Sequence, residues 1–255
     1  NPANMYLEVS SDNPQKLIVE FNAHILGEDV DKEKQFELVK SFGYALFKSK
    51  YLFDQYIVKR AYRNGEDKWS LLRLQKQQSA EIGYYPGTFG DGIEEGGSEE
   101  NKNLIMLLSM FHVSFPQTTY KHWLTGALHY LYIQTETIVP SKYRQYLEKM
   151  SDAFFFDRFH RTELRYEDII FNNYCEPQNT ELLETDIEND LDTGTQVQNF
   201  VFNRLDYKLW FEFREHLEKI ENLDKKYADV QLSKFEFAFR SSVEHYSPQH
   251  PMHGK

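Results

Sequence analysis

The sequence is poor in cysteine and in positive charge, and both shortages limit what the chain can be. It has 1 cysteine, Cys175, among 255 residues, so it forms no internal disulfide, as is usual in a reducing cytoplasm. Its 29 lysines and arginines are outnumbered by 40 aspartates and glutamates, which gives a net charge of −11. Such a chain is not expected to coat nucleic acid nonspecifically, because phosphate binding requires a basic surface. A local basic groove is compatible with this charge.

Long apolar runs are also lacking. No stretch reaches the roughly 18 uncharged apolar residues that a membrane span requires, and no signal peptide opens the chain. We therefore expect a cytoplasmic protein without a membrane partner. Because the chain starts at Asn1 without methionine, we expect further sequence upstream in its gene.

Aromatic residues are abundant, with 20 phenylalanines and 17 tyrosines, and they predict a sizeable folded core. Apolar residues recur at helical spacing through most of the sequence. Asn13-Pro14 predicts a helix start, and Asp31 predicts the cap of a long helix that continues to the cations of residues 59–63. Its expected apolar seam is Phe36, Val39, Phe42, Leu46, Phe53 and Ile57. A last helix has its predicted stripe at Leu205, Leu209, Phe213, Leu217 and Ile220.

β-rich character is found only in residues 235–246, which begin with Phe-Glu-Phe-Ala-Phe. The sequence thus predicts a mainly α protein: a multi-helix bundle with a short β-containing C-terminal tail. The scattered histidines, including His112 and His122, are interpreted as ordinary residues of the bundle. Cys175 has no partner in a nucleophile motif, so acyl transfer gains no support.

The most informative segment is residues 244–249, which read Glu-His-Tyr-Ser-Pro-Gln. Hydrolysis of a phosphodiester needs a general base that deprotonates water, and the near-neutral imidazole of His245 suits that role. It also needs a divalent metal, for which the carboxylate of Glu244 is a suitable ligand. A metal-dependent nuclease site of the HNH type begins in this way. We therefore predict His245 as the catalytic residue and Glu244 as a metal ligand.

The two side chains need a bend in the backbone to reach one site, because adjacent strand residues point to opposite faces. Pro248 and Gln249 are predicted to form this structural turn, together with Ser247. A Glu-His pair in a turn is also common without any catalytic role, and that alternative stays open at this point.

The densest basic patch is formed by Arg158, His160, Arg161 and Arg165. The three arginines are candidates for contacts with DNA phosphates. The alternative is a helix face whose cations pair with nearby acids such as Glu163 and Glu167.

Several segments resemble GmrSD-type restriction endonucleases, a modification-dependent phage-defence family. Residues 205–213 (Leu-Asp-Tyr-Lys-Leu-Trp-Phe-Glu-Phe), 235–239 and 242–249 resemble the C-terminal region, where a helix with a Tyr/Leu/Trp face precedes an HNH-like Glu-His-Ile-x-Pro-Gln motif. Residues 52–60, 107–111, 120–124 and the Trp69 segment look like the helical part of the GmrS-like half. The resemblance spans roughly residues 15–250, and its most specific part is Glu-His-x-x-Pro-Gln.

The resemblance implies restriction of foreign or modified phage DNA by a C-terminal HNH (ββα-metal) nuclease that uses Mg²⁺ or Mn²⁺. It also implies an N-terminal nucleotide-binding module, but the family's Asp-Gly-Gln-Gln-Arg element is absent from this sequence. The Asn/His elements expected after His245 are absent too, and Tyr246 replaces the usual aliphatic residue. The expected domains are a helical bundle at 1–195, and a linker helix with the beginning of the nuclease domain at 196–255.

Two functions follow as hypotheses. The first is an inactive fragment of a metal-dependent DNA endonuclease, since one acid and one base cannot fix a metal. The second is a non-catalytic helical module that binds a partner protein or DNA. A homo-oligomer is compatible with both.

Overall fold

The computed structural model describes residues 14–27, 31–63, 65–76, 83–84, 86–90, 99–115, 121–160, 164–178, 191–216 and 232–239. The chain is mainly helical in these residues, as its apolar spacing predicts. The α-helices are α1 (Pro14–Phe21), α2 (Lys32–Tyr56), α3 (Glu99–Ser114), α4 (His122–Ile133), α5 (Pro140–Ala153) and α6 (Asn199–His216). Shorter helical turns are found at Asn22–Leu26, Phe154–His160, Asp168–Asn172 and Gly194–Gln196. Each α-helix of the described residues is too short or too polar to cross a membrane.

The predicted helix starts are confirmed, but the predicted end of the long helix is wrong. α1 begins at Pro14, and α2 follows Asp31, whose side chain makes no capping hydrogen bond. α2 ends at Tyr56, and the cationic residues that follow form strand β1 (Lys59–Arg63) instead of a last helical turn. The chain turns back at Gly65, and the sequence Asn64-Gly65 is a dipeptide that strongly favours a tight hairpin.

β1 pairs with β2 (Glu66–Ser70) in an antiparallel hairpin whose register ends at Arg63 opposite Glu66. Gly65 lies in that turn with φ 86°, a left-handed conformation that favours glycine. A second small pair joins β3 (Gln75–Lys76) to β4 (Gly83–Tyr84). The expectation that β structure is confined to the C-terminal tail is therefore wrong. Residues 235–239, where the sequence predicts β structure, have no regular secondary structure and pair with no described strand.

The core is built around α3, which is apolar on nearly every side. Leu104, Leu107, Leu108, Met110 and Phe111 are all fully buried. A helix that is hydrophobic all round must be covered by neighbours, and α3 packs against α5, α6 and β2.

α6 buries a different stripe from the predicted one. Its buried residues are Phe200, Asn203, Tyr207 and Trp210. The predicted stripe is exposed where it is described, with Leu205 at 53%, Leu209 at 47% and Phe213 at 46%. Residues on both sides of the expected boundary at 195/196 share one hydrophobic core. The division into two domains stays a prediction.

Candidate functional site

The predicted nuclease residues Glu244, His245, Pro248 and Gln249 lie outside the described residues, as does Arg161. Their roles stay predictions. The structure does describe the chain that leads to the nuclease motif, as far as Phe239, five residues before Glu244.

Two tryptophan indoles hold this leading segment against the helical body. Trp69 Nε1 donates a hydrogen bond of 2.7 Å to the carbonyl of Phe237, and Trp210 Nε1 donates one of 3.1 Å to the carbonyl of Leu232. The Phe237 side chain is only 2% exposed, and its ring meets that of Phe235 edge to face at 5.1 Å. Residues 232–237, upstream of the motif, are therefore tied to both β2 and α6.

Trp69 is itself fixed from the other side. β2 directs it towards α3, and the guanidinium of Arg60 lies 4.3 Å from the centre of its ring. A cation over an indole face is the strongest of the cation–π geometries. Arg60 also lies 3.8 Å from the carboxylate of Glu236. The hairpin β1–β2 is thus a platform for residues 235–237.

His112 of α3, which the sequence predicts as an ordinary residue of the bundle, lies beside this platform. Its ring is 5.1 Å from Trp69, 5.8 Å from Phe239 and 6.1 Å from Trp123. Burial lowers the pKa of His112 to about 4, and the charge of Lys121 adds to this effect. The imidazole is therefore neutral at physiological pH. His112 belongs to no sequence motif, so the sequence does not predict that its ring is half-buried among aromatic side chains.

The pKa of His112 predicts an acid-sensitive fold. Because its pKa is lower in the folded chain than the ordinary 6.5, the unfolded chain binds more protons between pH 6.5 and pH 4. The contribution of His112 to the free energy of unfolding should therefore be complete above pH 6.5 and be lost as the pH falls towards 4.

Urea unfolding of the wild type and of His112→Gln at pH 7.5, 6 and 5 tests this expectation. The variant should lose less stability on acidification than the wild type. Part of the loss should remain, because burial also lowers the pKa values of His122 and His129. Equal losses in both proteins would contradict the role given to His112.

The predicted arginine patch is divided in the structure. Arg158 lies in a cleft of about 180 Å³, where its guanidinium is 4.3 Å from the centre of the Tyr166 ring and Nη1 donates to the carbonyl of Leu164 at 2.8 Å. Arg165 is exposed and binds Asp168, with Nε to Oδ2 at 3.0 Å. Arg158 is therefore part of the packing, whereas Arg165 pairs with an acid on its own helical turn. Arg165 thus fits the alternative interpretation of the patch, in which its cations pair with nearby acids.

The cleft that holds Arg158 is lined by aromatic and polar side chains: Phe154, Arg158, Phe159, Tyr166, Gln198 and Phe200. Its volume is below the roughly 300 Å³ at which small-molecule sites begin. The cleft is therefore too small for a nucleotide. Tyr166 is also covered by His122, and the centres of these two stacked rings are 4.3 Å apart.

The two arginines should respond differently to truncation. Arg158→Ala removes a stacked cation and a hydrogen bond, so the free energy of unfolding should fall by about 1–2 kcal/mol. Arg165→Ala should leave the unfolding midpoint unchanged, because an exposed pair on one turn contributes little. Equilibrium denaturation of both variants measures the difference. Equal midpoints would mean that Arg158 does not support the fold.

Cys175 is excluded as a nucleophile at neutral pH. It is fully buried, and its sulfur lies 3.2 Å from the hydroxyl of Tyr146. Burial raises the pKa of the thiol to about 12, so the reactive thiolate is scarce. This agrees with the lack of any acyl-transfer motif in the sequence.

Within the described ranges, no group of three or more His, Cys, Asp or Glu side chains could hold a metal ion. Comparison of the chain with family models, curated proteins and solved structures finds no match. The resemblance to GmrSD-type endonucleases therefore depends on the residues quoted above.

Proposed function

We propose that this chain is part of a metal-dependent DNA endonuclease of the GmrSD type that restricts foreign or modified phage DNA. The observation that carries the proposal is the motif Glu-His-Tyr-Ser-Pro-Gln at residues 244–249, which follows the aromatic segment 235–239 after four residues. The anchoring of that segment by Trp69 and Trp210 supports the proposal, because a catalytic motif needs a rigid base to hold its geometry.

In this proposal His245 is the general base that takes a proton from the attacking water. Glu244 is a ligand of Mg²⁺ or Mn²⁺, and Pro248 and Gln249 turn the chain so that both side chains reach one site. The metal would neutralise the charge that builds on the phosphate. A carboxylate and an imidazole are suitable donors for these ions, but two donors do not complete a site. Further ligands must therefore join them.

The acidic chain limits where DNA can lie. With a net charge of −11, the helical body is not proposed as the main DNA groove, because it would repel the backbone. Arg158, Arg161 and Arg165 are proposed as local phosphate contacts at most. The structure describes Arg158 and Arg165. Arg158 lines the cleft, and Arg165 would have to break its ion pair with Asp168 before it could bind a phosphate.

Cleavage assays on the complete gene product test the proposed activity. The protein should cut DNA, modified DNA above all, when Mg²⁺ or Mn²⁺ is present, and it should leave the DNA intact when the metal is chelated. Filter binding of the same substrates in the presence of a chelator separates DNA binding from cutting.

A second candidate function is a non-catalytic helical module that binds a partner. The observation that favours it is the exposure of apolar residues on α2 and α6, where Phe47 is 78% and Leu205 is 53% exposed. DNA binding without cleavage at every metal tested would favour this function over the first.

A further inference from the structure

Lys121 is a cation in a place that does not favour one. It directly precedes α4, and the first turn of that helix contains no acidic residue. The amino end of a helix has a partial positive charge, so an acid or a small polar residue is preferred there. An ammonium repels this charge and has no acceptor for the first N–H groups of the helix. Lys121 therefore does not stabilise α4.

The ammonium of Lys121 is also half-buried without a compensating acid. Burial lowers the pKa of Lys121 below its usual range, and no carboxylate among the described residues raises it again. Removing a charge from water without a partner costs free energy. Ionisable groups that are perturbed in this way are concentrated at functional sites, where a ligand supplies the missing partner. For Lys121 that ligand would be an anion.

A second cation, Arg60 of β1, lies near the same place. Its guanidinium is 4.3 Å from the centre of the Trp69 ring, which lies 5.1 Å from the ring of His112. Trp123, two residues after Lys121, also approaches His112, with 6.1 Å between the ring centres. The charges of Lys121 and Arg60 both lower the pKa of His112. β1 and α4 thus bring two cations, distant in sequence, to one neutral imidazole.

The acids on this side do not neutralise Lys121. Glu236 lies 3.8 Å from Arg60, and Asp67 accepts a hydrogen bond of 2.9 Å from Arg60 through its backbone carbonyl. Neither acid shifts the pKa of Lys121 or of His112. Glu236 therefore offsets the charge of Arg60 in part, and the charge of Lys121 remains. A positive place on a chain with a net charge of −11 attracts an anion locally.

This place lies close to the start of the nuclease motif. The ring of Phe239, five residues before Glu244, is 5.8 Å from that of His112. Five residues of chain span at most about 18 Å. Successive phosphates of one DNA strand are about 3.4 Å apart along the helix axis, so this span corresponds to about five nucleotides. A strand that is cut by His245 can therefore have another phosphate beside Lys121.

We propose that Lys121, together with Arg60, binds a backbone phosphate of the DNA strand that the nuclease motif cuts. The identity of the anion rests on the proposed function. Ammonium and guanidinium groups both donate charge-assisted hydrogen bonds to phosphate oxygens. The neighbouring rings of His112, Trp69 and Trp123 exclude water on one side, which strengthens the attraction between the charges. A phosphate contact of this kind fixes the position of the strand and carries no sequence information.

DNA binding by the complete gene product, measured in a chelator, tests the proposal. Lys121→Gln should weaken binding about tenfold and lower the slope of log affinity against log salt concentration by about one. Lys121→Arg keeps the charge and should keep most of the affinity. Lys121 is chosen over Arg60, because Arg60 also packs on Trp69 and its removal would disturb the platform.

Lys142→Gln is the matched control. Lys142 is an exposed lysine in the first turn of α5, so its replacement changes the net charge and the charge at a helix start in the same way. It should leave both the affinity and the salt slope unchanged. Any effect of the overall charge on DNA binding appears equally in both variants.

Urea unfolding separates a binding role of Lys121 from a structural one. Lys121→Gln should unfold at the same urea concentration as the wild type or at a higher one, because the substitution removes a half-buried, unpaired charge from the positive end of a helix. A lower midpoint would mean that Lys121 supports the fold, and it would overturn the proposal.

The outcomes distinguish this site from the nuclease assignment. Equal affinities of Lys121→Gln and Lys142→Gln would overturn the phosphate site, while cleavage by the wild type would leave the nuclease proposal standing. Weaker binding by Lys121→Gln in a protein that never cuts DNA would support the site and contradict the nuclease. A wild-type protein that binds no DNA would overturn both.

Discussion

Replacing His245 with alanine is expected to lower the rate of DNA cleavage by roughly 100- to 10,000-fold, the usual contribution of a general base. The expectation follows from the proposed role of the imidazole, which accepts the proton of the attacking water. DNA binding should change little, because a base makes no lasting contact with the phosphate before the reaction. The measurement is single-turnover cleavage of end-labelled DNA by the complete gene product, with binding measured in a chelator.

His253→Ala is the matched control for this experiment. It removes an imidazole from the same C-terminal segment but lies outside the Glu-His-x-x-Pro-Gln motif. The control should cut DNA at close to the wild-type rate. If His245→Ala cuts as fast as the wild type, the imidazole is not the base and the nuclease assignment is wrong at its most specific residue.

Truncating Phe237 to alanine is expected to lower the free energy of unfolding by about 3–5 kcal/mol, as for other buried phenylalanines. Phe237 is 2% exposed and belongs to the main hydrophobic core. Its removal should also loosen the chain that leads to Glu244 and His245, so cleavage should fall even at temperatures where the body remains folded. Urea denaturation measures the first effect and the cleavage assay the second.

Two further variants separate the packing of this segment from its hydrogen bond. Phe239→Ala is the control, because Phe239 lies two residues away and is 55% exposed, and it should change stability much less. Trp69→Phe keeps an aromatic ring but removes the donor to the buried Phe237 carbonyl and part of a buried side chain, which should cost about 1–3 kcal/mol. If Phe237→Ala is no more harmful than Phe239→Ala, the segment is not anchored as described.

The positions of helices could be predicted from the sequence, but the faces that they bury could be predicted only in part. α2 begins after Asp31 as expected. In its predicted seam Phe42 packs against Phe21 and Ile57 is buried, whereas Phe36, Val39 and Leu46 are exposed. The same is true of Leu205 in α6. Both helices have apolar residues on more than one face. Periodicity then identifies a helix without deciding which face meets the core.

The hairpin β1–β2 shows a different limit. The sequence predicts that the cations of residues 59–63 end α2, but these residues form β1. Lysine and arginine are good helix formers, so local propensity favoured a helix over residues 59–63. The pairing of β1 with β2 and the packing of Trp69 against the core stabilise the strand instead. Tertiary contacts here override local preference.

The candidate site could be predicted only as a local motif. Glu244 and His245 are adjacent, so their pattern is visible in the sequence. The contacts that anchor their segment are not, because Trp69 and Phe237 are 168 residues apart. The same applies to His112, whose lowered pKa comes from burial beside residues distant in sequence. No periodic pattern encodes such contacts.

The dependence of cleavage on Mn²⁺ concentration, compared between the wild type and Glu244→Gln, tests the proposed metal-dependent nuclease most directly. The substitution keeps the size of the side chain but removes its charge, so the account predicts that the variant needs far more metal to reach half-maximal cleavage. It also predicts no cutting by either protein in a chelator. The proposal would be contradicted if both proteins had the same metal dependence, or if the wild type bound DNA and left it intact at every Mn²⁺ concentration.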